Sequence, residues 1–364
     1  MSNQGDWTII KLLKWTRGFF EKKGIEEARL DAEILLSHCL DMTRVQLYTH
    51  FNQPVSPQDL AAYKGLIKRR ADHEPVAYIT GTREFWSMEL AVNKHVLIPR
   101  PDTETLVEAT RARARKLAGE PIHQPTDEIS GLDPVYEKLQ RSEQDIERMN
   151  GQEPPSYDDE AMQDVDLREP EPEPEPEPQA EQEPWKPERP LRILDLGTGS
   201  GAIALALAKE LPYAHIVASD ISAEALEVAR ANAQTHGLSD RITFVEGDLL
   251  EPHLGGEPFD VIVSNPPYIA DGEKPDLDLE VSQHEPGVAL FSGPTGLEIY
   301  ERIVADAAKL IRPGGYVLCE IGHTQGPSVR QCFEDDAQKR YTEVRIIRDR
   351  FSSQNRVVEA RVNL

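Results

Sequence analysis

Asn265-Pro266-Pro267-Tyr268 follows directly on Phe259-Asp260-Val261-Ile262-Val263-Ser264, a run with the length and composition of a buried strand. An Asn side chain and a rigid Pro-Pro backbone therefore sit at the carboxyl end of a strand, where open α/β sheets bind ligands. Pro266 and Pro267 have fixed φ and offer no N–H, so acceptors dominate this rim. Pro266 also holds Asn265 out of the helical region. The Asn265 side-chain oxygen and the Pro266 carbonyl form a pair of acceptors suited to a planar NH2 group, and the Tyr268 ring is placed to cover that plane. The chemistry implied is work on an amide or exocyclic amine nitrogen. The bland reading of Asn-Pro is a turn, and of Tyr268 a packed aromatic.

A second constellation decides for a ligand. Ile193-Leu194-Asp195-Leu196 leads into Gly197-Thr198-Gly199-Ser200-Gly201 and then into a helix. Glycines at alternate positions let the backbone turn sharply and approach a bound molecule. Asp220 ends the next strand, 19 residues after Gly201, a spacing that suits ribose hydroxyls. Gly247-Asp248-Leu249 follows the third strand and Asn265 the fourth. Nicotinamide enzymes favour G-x-G-x-x-G, with a pyrophosphate on the helix N-terminus. This loop is G-x-G-x-G after an acid, Asp195, which favours a cationic cofactor without phosphate. S-adenosyl-L-methionine is the better reading; Asp248 has equal claims as an acceptor of the adenine amino group and as a loop or cap carboxylate. No Cys/His cluster has metal-ligand spacing, and no metal is expected.

The elements that must position these residues alternate along residues 191–364. Strands are predicted at Leu191–Leu196, Ile216–Ser219, Ile242–Glu246, Asp260–Ser264 and Gly315–Ile321. Helices are predicted at Ala202–Leu211, Ala223–His236 and Gly296–Ile311. A final hairpin, Thr342–Arg348 with Val357–Val362, gives the doubly wound sheet an antiparallel edge. Upstream, apolar residues recur at helical spacing over Trp7–Phe20 and Leu30–Leu40, separated by Gly24. A third helix is predicted from Ser56, its N-cap, to Ala71. Glu84–Val92 and His95–Ile98 read as a β-hairpin turning at Asn93-Lys94. After Pro99-Arg100-Pro101 a helix starts near Asp102, with Glu104 in its first turn.

Between Gly119 and Pro190 the composition changes. This stretch carries 22 acidic against 6 basic residues and 13 of the chain's 28 prolines, with Glu-Pro repeated five times from Glu169 to Pro178. Such a segment buries too little apolar surface to offset its ordering entropy and is expected to be disordered. It holds −16 of the net −24, leaving −8 for the rest, so the large charge belongs to the insertion. The expected domains are a helical unit at 1–73, a β-hairpin linker at 74–100, the catalytic domain at 101–118 and 187–364, and the insertion at 119–186.

The motifs together resemble the HemK/PrmC family, the glutamine methyltransferases of peptide chain release factors. The resemblance rests on Glu74-Pro75-Val76-Ala77-Tyr78-Ile79-Thr80-Gly81, Leu97-Ile98-Pro99-Arg100-Pro101-Asp102-Thr103-Glu104, the Gly-rich loop, Asn265–Tyr268, Glu285-Pro286 with Ala289-Leu290, and Arg356-Val357-Val358. It covers about 290 residues, everything but the insertion. It implies a class I S-adenosylmethionine-dependent methyltransferase, α/β and Rossmann-like, with a mostly parallel seven-stranded sheet behind an N-terminal helical bundle. It also implies a substrate: the glutamine of the Gly-Gly-Gln loop in class I release factors. The insertion departs from the family pattern, as does Leu249, at a position often aromatic in relatives.

On this reading Asn265, Pro266 and Tyr268 are the catalytic residues. Gly197, Thr198, Gly199, Ser200, Gly201, Asp220, Asp248, Leu249 and Asn265 hold the cofactor. Asn265, Pro266, Pro267, Tyr268 and Arg100 hold the substrate, although Arg100 has an equal claim to pair with a local acid. Glu74 and Asp102 read as structural, and His253 and His284 as solvated loop histidines. Two alternatives share Asn-Pro-Pro-Tyr chemistry: an adenine-N6 methyltransferase on nucleic acid, and a glutamine methyltransferase of a ribosomal protein. The first needs a basic groove, and the residues outside the insertion are net acidic, with Lys68-Arg69-Arg70 only a short basic cluster. No nucleic acid or membrane partner is expected. A monomer is expected, and a cytoplasmic one, the location because no apolar run spans a bilayer, the amino-terminal residues lack a secretory pattern, and Cys39, Cys319 and Cys332 are too scattered for a disulfide framework.

Overall fold

The computed structural model describes residues 7–120 and 187–363. The acidic stretch predicted at 119–186 lies outside the described residues apart from its first two positions. The amino-terminal part folds as α1 (Ile9–Lys22), α2 (Ala28–Leu40), α3 (Arg44–Thr49), α4 (Pro57–Ala71) and α5 (Val76–Thr80). The Ser56 hydroxyl accepts from the Asp59 N–H at 3.1 Å, so α4 starts where its cap demands. Ile9, Leu12, Phe20, Leu35, Leu36 and Tyr63 form the centre of its core. The short α3 and α5 carry fewer than two turns of periodicity and were not legible in the pattern.

The hairpin lies earlier than its turn residues suggested. β1 (Thr82–Phe85) pairs with β2 (Met88–Ala91), and the chain reverses at Trp86-Ser87, not at Asn93-Lys94. Both turn residues have left-handed φ, 52° and 51°, which suits a hairpin turn and is unfavourable for Trp. Tertiary contacts offset that cost. The Trp86 N–H donates to Glu104 and its indole N–H to Glu210, and the Arg111 guanidinium lies over its ring. Asn93 serves a local turn, accepting from the His95 N–H at 2.9 Å.

A 3₁₀ turn at Pro101–Thr103 leads into α6 (Glu104–Ala118). The remaining elements are β3 (Leu191–Leu196), α7 (Ala202–Glu210), β4 (Ala214–Asp220), α8 (Ala223–Thr235), β5 (Ile242–Glu246), β6 (Phe259–Ser264), β7 (Ile269–Ala270), α9 (Leu279–His284), β8 (Phe291–Gly293), α10 (Glu298–Ala307), β9 (Ile311–Glu320), α11 (Gly326–Glu334), β10 (Tyr341–Arg348) and β11 (Asn355–Val362). Seven strands form one sheet in the order β10-β11-β9-β6-β3-β4-β5. From β9 to β5 every pair is parallel. The reversed strand is β11, inserted between β9 and β10. The antiparallel strand is therefore next to the edge, and β10 occupies the edge itself.

Alternation along the strands supplies two faces. Ile193, Val261 and Val263 pack with Leu106 and Val107 of α6 and the apolar α7 on one side. Leu194, Leu196 and Ile262 pack with Tyr300 and Ile303 of α10 and Phe333 of α11 on the other. The helical unit is tied to this domain by Arg70, 3% exposed. Its guanidinium donates to Asp31 of α2 at 2.7 Å and also pairs with Glu280 of α9.

Candidate active site

The Gly-rich loop sits between the end of β3 and the start of α7. Gly197, Gly199 and Gly201 all have positive φ, 68°, 55° and 84°. At Gly201 a Cβ would lie 2.6 Å from Leu205 Cδ1 and 3.2 Å from Ala229 Cβ, so only glycine lets α7 pack against α8 here. The Gly197 and Thr198 N–H groups both donate to the Ser219 carbonyl of β4. Asn232 of α8 donates to the Ser200 carbonyl at 2.8 Å and exchanges two hydrogen bonds with Ala91. The loop is thus fastened to strand, helix and hairpin at once.

The acids around it differ in environment. Asp195, expected to face a cationic cofactor, is fully buried beneath the loop, accepts from the Thr198 hydroxyl at 2.6 Å and does not line the cavity. Burial pushes its carboxyl up to about 7, against the Thr198 hydrogen bond. It braces the loop from beneath through Thr198 and does not face the cavity. Asp220 does line the cavity. Its carboxylate accepts from the Gly199 and Ser222 N–H groups, each at 2.9 Å. Burial raises its pKa, and those backbone donors oppose the rise. Asp248 also lines the cavity and pairs with Arg302 of α10 at 2.7 Å. Leu249 beside it adopts a left-handed φ of 48°.

At the far end of the cavity Asn265 leaves β6 half-buried. Its Nδ2 donates to the Thr103 hydroxyl at 3.3 Å, and both residues line the cavity. Pro267 does too, whereas Pro266 and Tyr268 do not. Tyr268 packs against the sheet core instead, and burial raises its phenol to about 12. Its carbonyl accepts from Gln325 Nε2 at 2.8 Å, and Gln325 Oε1 accepts from the Gly322 N–H. Gln325 thereby pins the segment after the prolines to the end of β9. Arg100 lines the cavity and pairs with buried Glu285, which also accepts from the Ile98 N–H. It pairs with a local acid, as one of its two readings had it, and stands in the cavity wall. Asp102 pairs with Arg356 of β11 at 2.6 Å and Glu74 with Arg69, as structural acids do. His253 is buried edge-on to Phe259 and not solvated. The His284 ring reaches the Asp72 carbonyl at 3.2 Å.

The cavity has a volume of about 310 Å³ and runs from the Gly-rich loop past Asp220 and Leu249 to Asn265. Its two arginines, Arg100 and Arg302, are committed to Glu285 and Asp248. The cavity thus offers carboxylates to hydroxyls and cationic groups, and no free guanidinium to a pyrophosphate. That donor set fits S-adenosylmethionine. Among the described residues no group of His, Cys, Asp and Glu is arranged to hold a metal ion.

Two family models match: the PrmC N-terminal domain over residues 11–81 and the methyltransferase small domain over residues 185–281. The chain is 37% identical to the release factor glutamine methyltransferase of Geobacter sulfurreducens over 90% of its own length and 88% of that protein's. It is 34% identical to that of Rhodopirellula baltica, covering 96% and 94%, and 37% identical to that of Chlorobaculum tepidum, covering 90% and 89%. The chain belongs to the release factor glutamine methyltransferases.

In this release factor glutamine methyltransferase a larger groove, about 1090 Å³, lies beside the cofactor-sized cavity. Its walls come from α2, from α5 with the start of β1, and from Asp278–Val281 with Glu285. Arg100 lines both spaces. The contributions of Thr103, Gln325, Asn232 and Arg302 were missed in the sequence. Thr103 lies within the Pro-Asp-Thr-Glu run and was the most accessible of them, but nothing local states that its hydroxyl meets Asn265.

Proposed function

We propose that the chain transfers the methyl group of S-adenosylmethionine to the side-chain amide nitrogen of the glutamine in the Gly-Gly-Gln loop of class I peptide chain release factors. The observation that carries this is Asn265, lining the end of the cavity from β6, in a chain of this family. The cofactor supplies an electrophilic methyl group on a sulfonium. Asp220 would accept from the ribose hydroxyls, Asp248 from the adenine amino group, and Leu249 would offer the adenine ring an aliphatic surface. The Gly197–Gly201 backbone lets the cofactor approach.

A carboxamide nitrogen is a poor nucleophile because its lone pair is delocalised, so placement and stabilisation of developing positive charge carry the catalysis. Asn265 Oδ1 accepts one substrate N–H, while Pro266, buried and outside the cavity lining, fixes the backbone that presents Asn265. Pro267 walls the entrance, and Tyr268 backs the loop from the core side. The proton leaves to water after transfer. The release factor lies along the groove between α2 and Asp278–Glu285, its glutamine passing Arg100. The enzyme works as a cytoplasmic monomer.

The test is transfer of radiolabelled methyl from S-adenosylmethionine to a purified release factor, to the same factor with the loop glutamine replaced, and to duplex DNA. Label on the first alone is the expected result. Label on DNA with none on the release factor overturns the assignment in favour of an adenine substrate.

A further inference from the structure

Asn265 stands on a segment that cannot fasten itself. Pro266 and Pro267 have no N–H to give a neighbour, so the backbone that carries Asn265 into the cavity is held from its two ends. At the near end Ser264 closes β6, in register with Leu196 of β3 and Cys319 of β9. Its hydroxyl donates to the Leu196 carbonyl at 2.8 Å. At the far end the Tyr268 carbonyl accepts from Gln325 Nε2 at 2.8 Å. The Ile269 N–H then donates to the Leu290 carbonyl at 3.0 Å.

Gln325 stands at the N-cap of α11. A side-chain amide offers two donor hydrogens and an acceptor oxygen, and here each group meets backbone. Nε2 donates to the Tyr268 carbonyl and, at 3.3 Å, to the Gly296 carbonyl; Oε1 accepts from the Gly322 N–H at 3.1 Å. The reversed amide would set its oxygen against two carbonyls, so the partners fix its orientation. Three segments meet on this one side chain: the turn after β6, the approach to α10 and the turn after β9. The space is cut to fit. A Cβ at Gly296 would lie 2.6 Å from the Tyr268 carbonyl oxygen and 2.9 Å from Gln325 Nε2, and one at Gly322 would lie 2.9 Å from Gln325 Oε1.

We propose that Gln325 is a positioning residue for methyl transfer, acting through the Tyr268 carbonyl to fix where Asn265 meets the substrate amide. Proline holds φ at both positions between Asn265 and Tyr268, so few rotations remain in that stretch once β6 has set its start. Holding the Tyr268 carbonyl takes up most of them. Released at that end, the stiff Pro-Pro unit swings about the end of β6, and Asn265 moves with it. Gln325 itself lies outside the cavity lining. The Gly-rich loop and Asp220 are held by β4 and α8, so the effect falls on turnover and spares cofactor affinity.

The inference rests on the glutamine methyltransferase reading, and the two fail separately. Single-turnover transfer to a release factor at saturating cofactor, and cofactor Kd by calorimetry, are measured for the unaltered chain, Gln325→Met and Gln325→Glu. Gln325→Met should slow transfer about 10- to 100-fold, as a displacement of up to about 1 Å does, with cofactor Kd within about twofold. Gln325→Glu keeps the shape of the side chain. Ionised, it has no proton for the two carbonyls and sets its charge against them. Protonated, it donates to the Tyr268 carbonyl and still accepts from the Gly322 N–H, and its carbonyl neighbours favour that form. Its rate divided by that of the unaltered chain should therefore climb at least about threefold from about pH 8.5 down to about pH 5.5. The division removes the ionisation of every group that the two chains share, His323 of the same turn included. A Gln325→Met rate within about threefold of the unaltered chain, a Kd that rises in step with the loss of rate, or a Gln325→Glu ratio that is flat across pH overturns the positioning role. If Gln325→Met does not fold, the Gln325→Glu ratio decides alone. No transfer by the unaltered chain overturns the functional reading instead.

Discussion

Asn265→Ala separates turnover from binding. The described hydrogen bond of the Asn265 side chain is the 3.3 Å contact to Thr103, long enough that its loss costs about 0.5 kcal/mol at most. A domain of this size should then lose no more than about 2 °C in Tm. The Gly-rich loop and Asp220 are held by backbone contacts to β4 and α8 and do not depend on Asn265. Cofactor Kd should therefore stay within about threefold, under 1 kcal/mol. Turnover should change far more. In the reacting complex Asn265 accepts from a nitrogen gaining positive charge, a bond worth about 1.5–3 kcal/mol, or roughly 10- to 150-fold in rate. Loss of orientation adds to this, because a misplacement of about 1 Å costs on the order of 10²-fold. The expected fall in kcat is about 10²- to 10³-fold, comparable with removal of one preorganised hydrogen-bonding group elsewhere. Single-turnover transfer to a release factor and calorimetric cofactor titration measure the two quantities. A kcat within about fivefold of the unaltered enzyme, or a Kd that rises in step with the fall in kcat, refutes the assigned role.

Gly201→Ala should lower both stability and cofactor affinity. It places a Cβ at a φ of +84° and 2.6 Å from Leu205, costing about 1–3 kcal/mol; an unchanged melting curve contradicts the packing described. Asp195 carries its proton to about pH 7 in the folded state, against 3.8 when unfolded. The folded state binds more protons in that window, so this group makes stability fall as pH rises through it. Asp195→Asn removes the effect, and its Tm should drop less between about pH 5 and pH 8 than that of the unaltered chain; parallel curves reject the shifted carboxyl. Arg70→Met leaves Asp31 buried without its partner and should destabilise by up to about 3–5 kcal/mol. Glu280→Gln, at a half-exposed acid, should cost under about 1 kcal/mol. Denaturant unfolding yielding equal losses for the two would show that Arg70 serves the α9 contact alone.

Much of the frame was legible because its causes are local. β3 and β5 end where their apolar runs end, Ser56 caps α4, and the glycines of Gly197–Gly201 take the positive φ that their spacing announced. The hairpin and the edge of the sheet were less legible. Asn93 looked the better turn residue, yet Trp86 makes the turn because Glu104, Glu210 and Arg111 hold it there. Nothing in the Thr342–Arg348 or Val357–Val362 patterns says which strand joins β9.

By itself the sequence determined the reaction class. Strand-end positions of the Gly-rich loop, Asp220 and Asn265 follow from periodicity and glycine placement, properties that each segment carries in its own backbone. Only the tertiary structure decided what those residues face. It buried Asp195 under the loop, committed Asp248 to Arg302, turned Tyr268 to the core, and brought Thr103 to Asn265 across 162 positions of chain. Burial and hydrogen-bond partnership come from packing between segments remote in sequence, and no local pattern of residues encodes them.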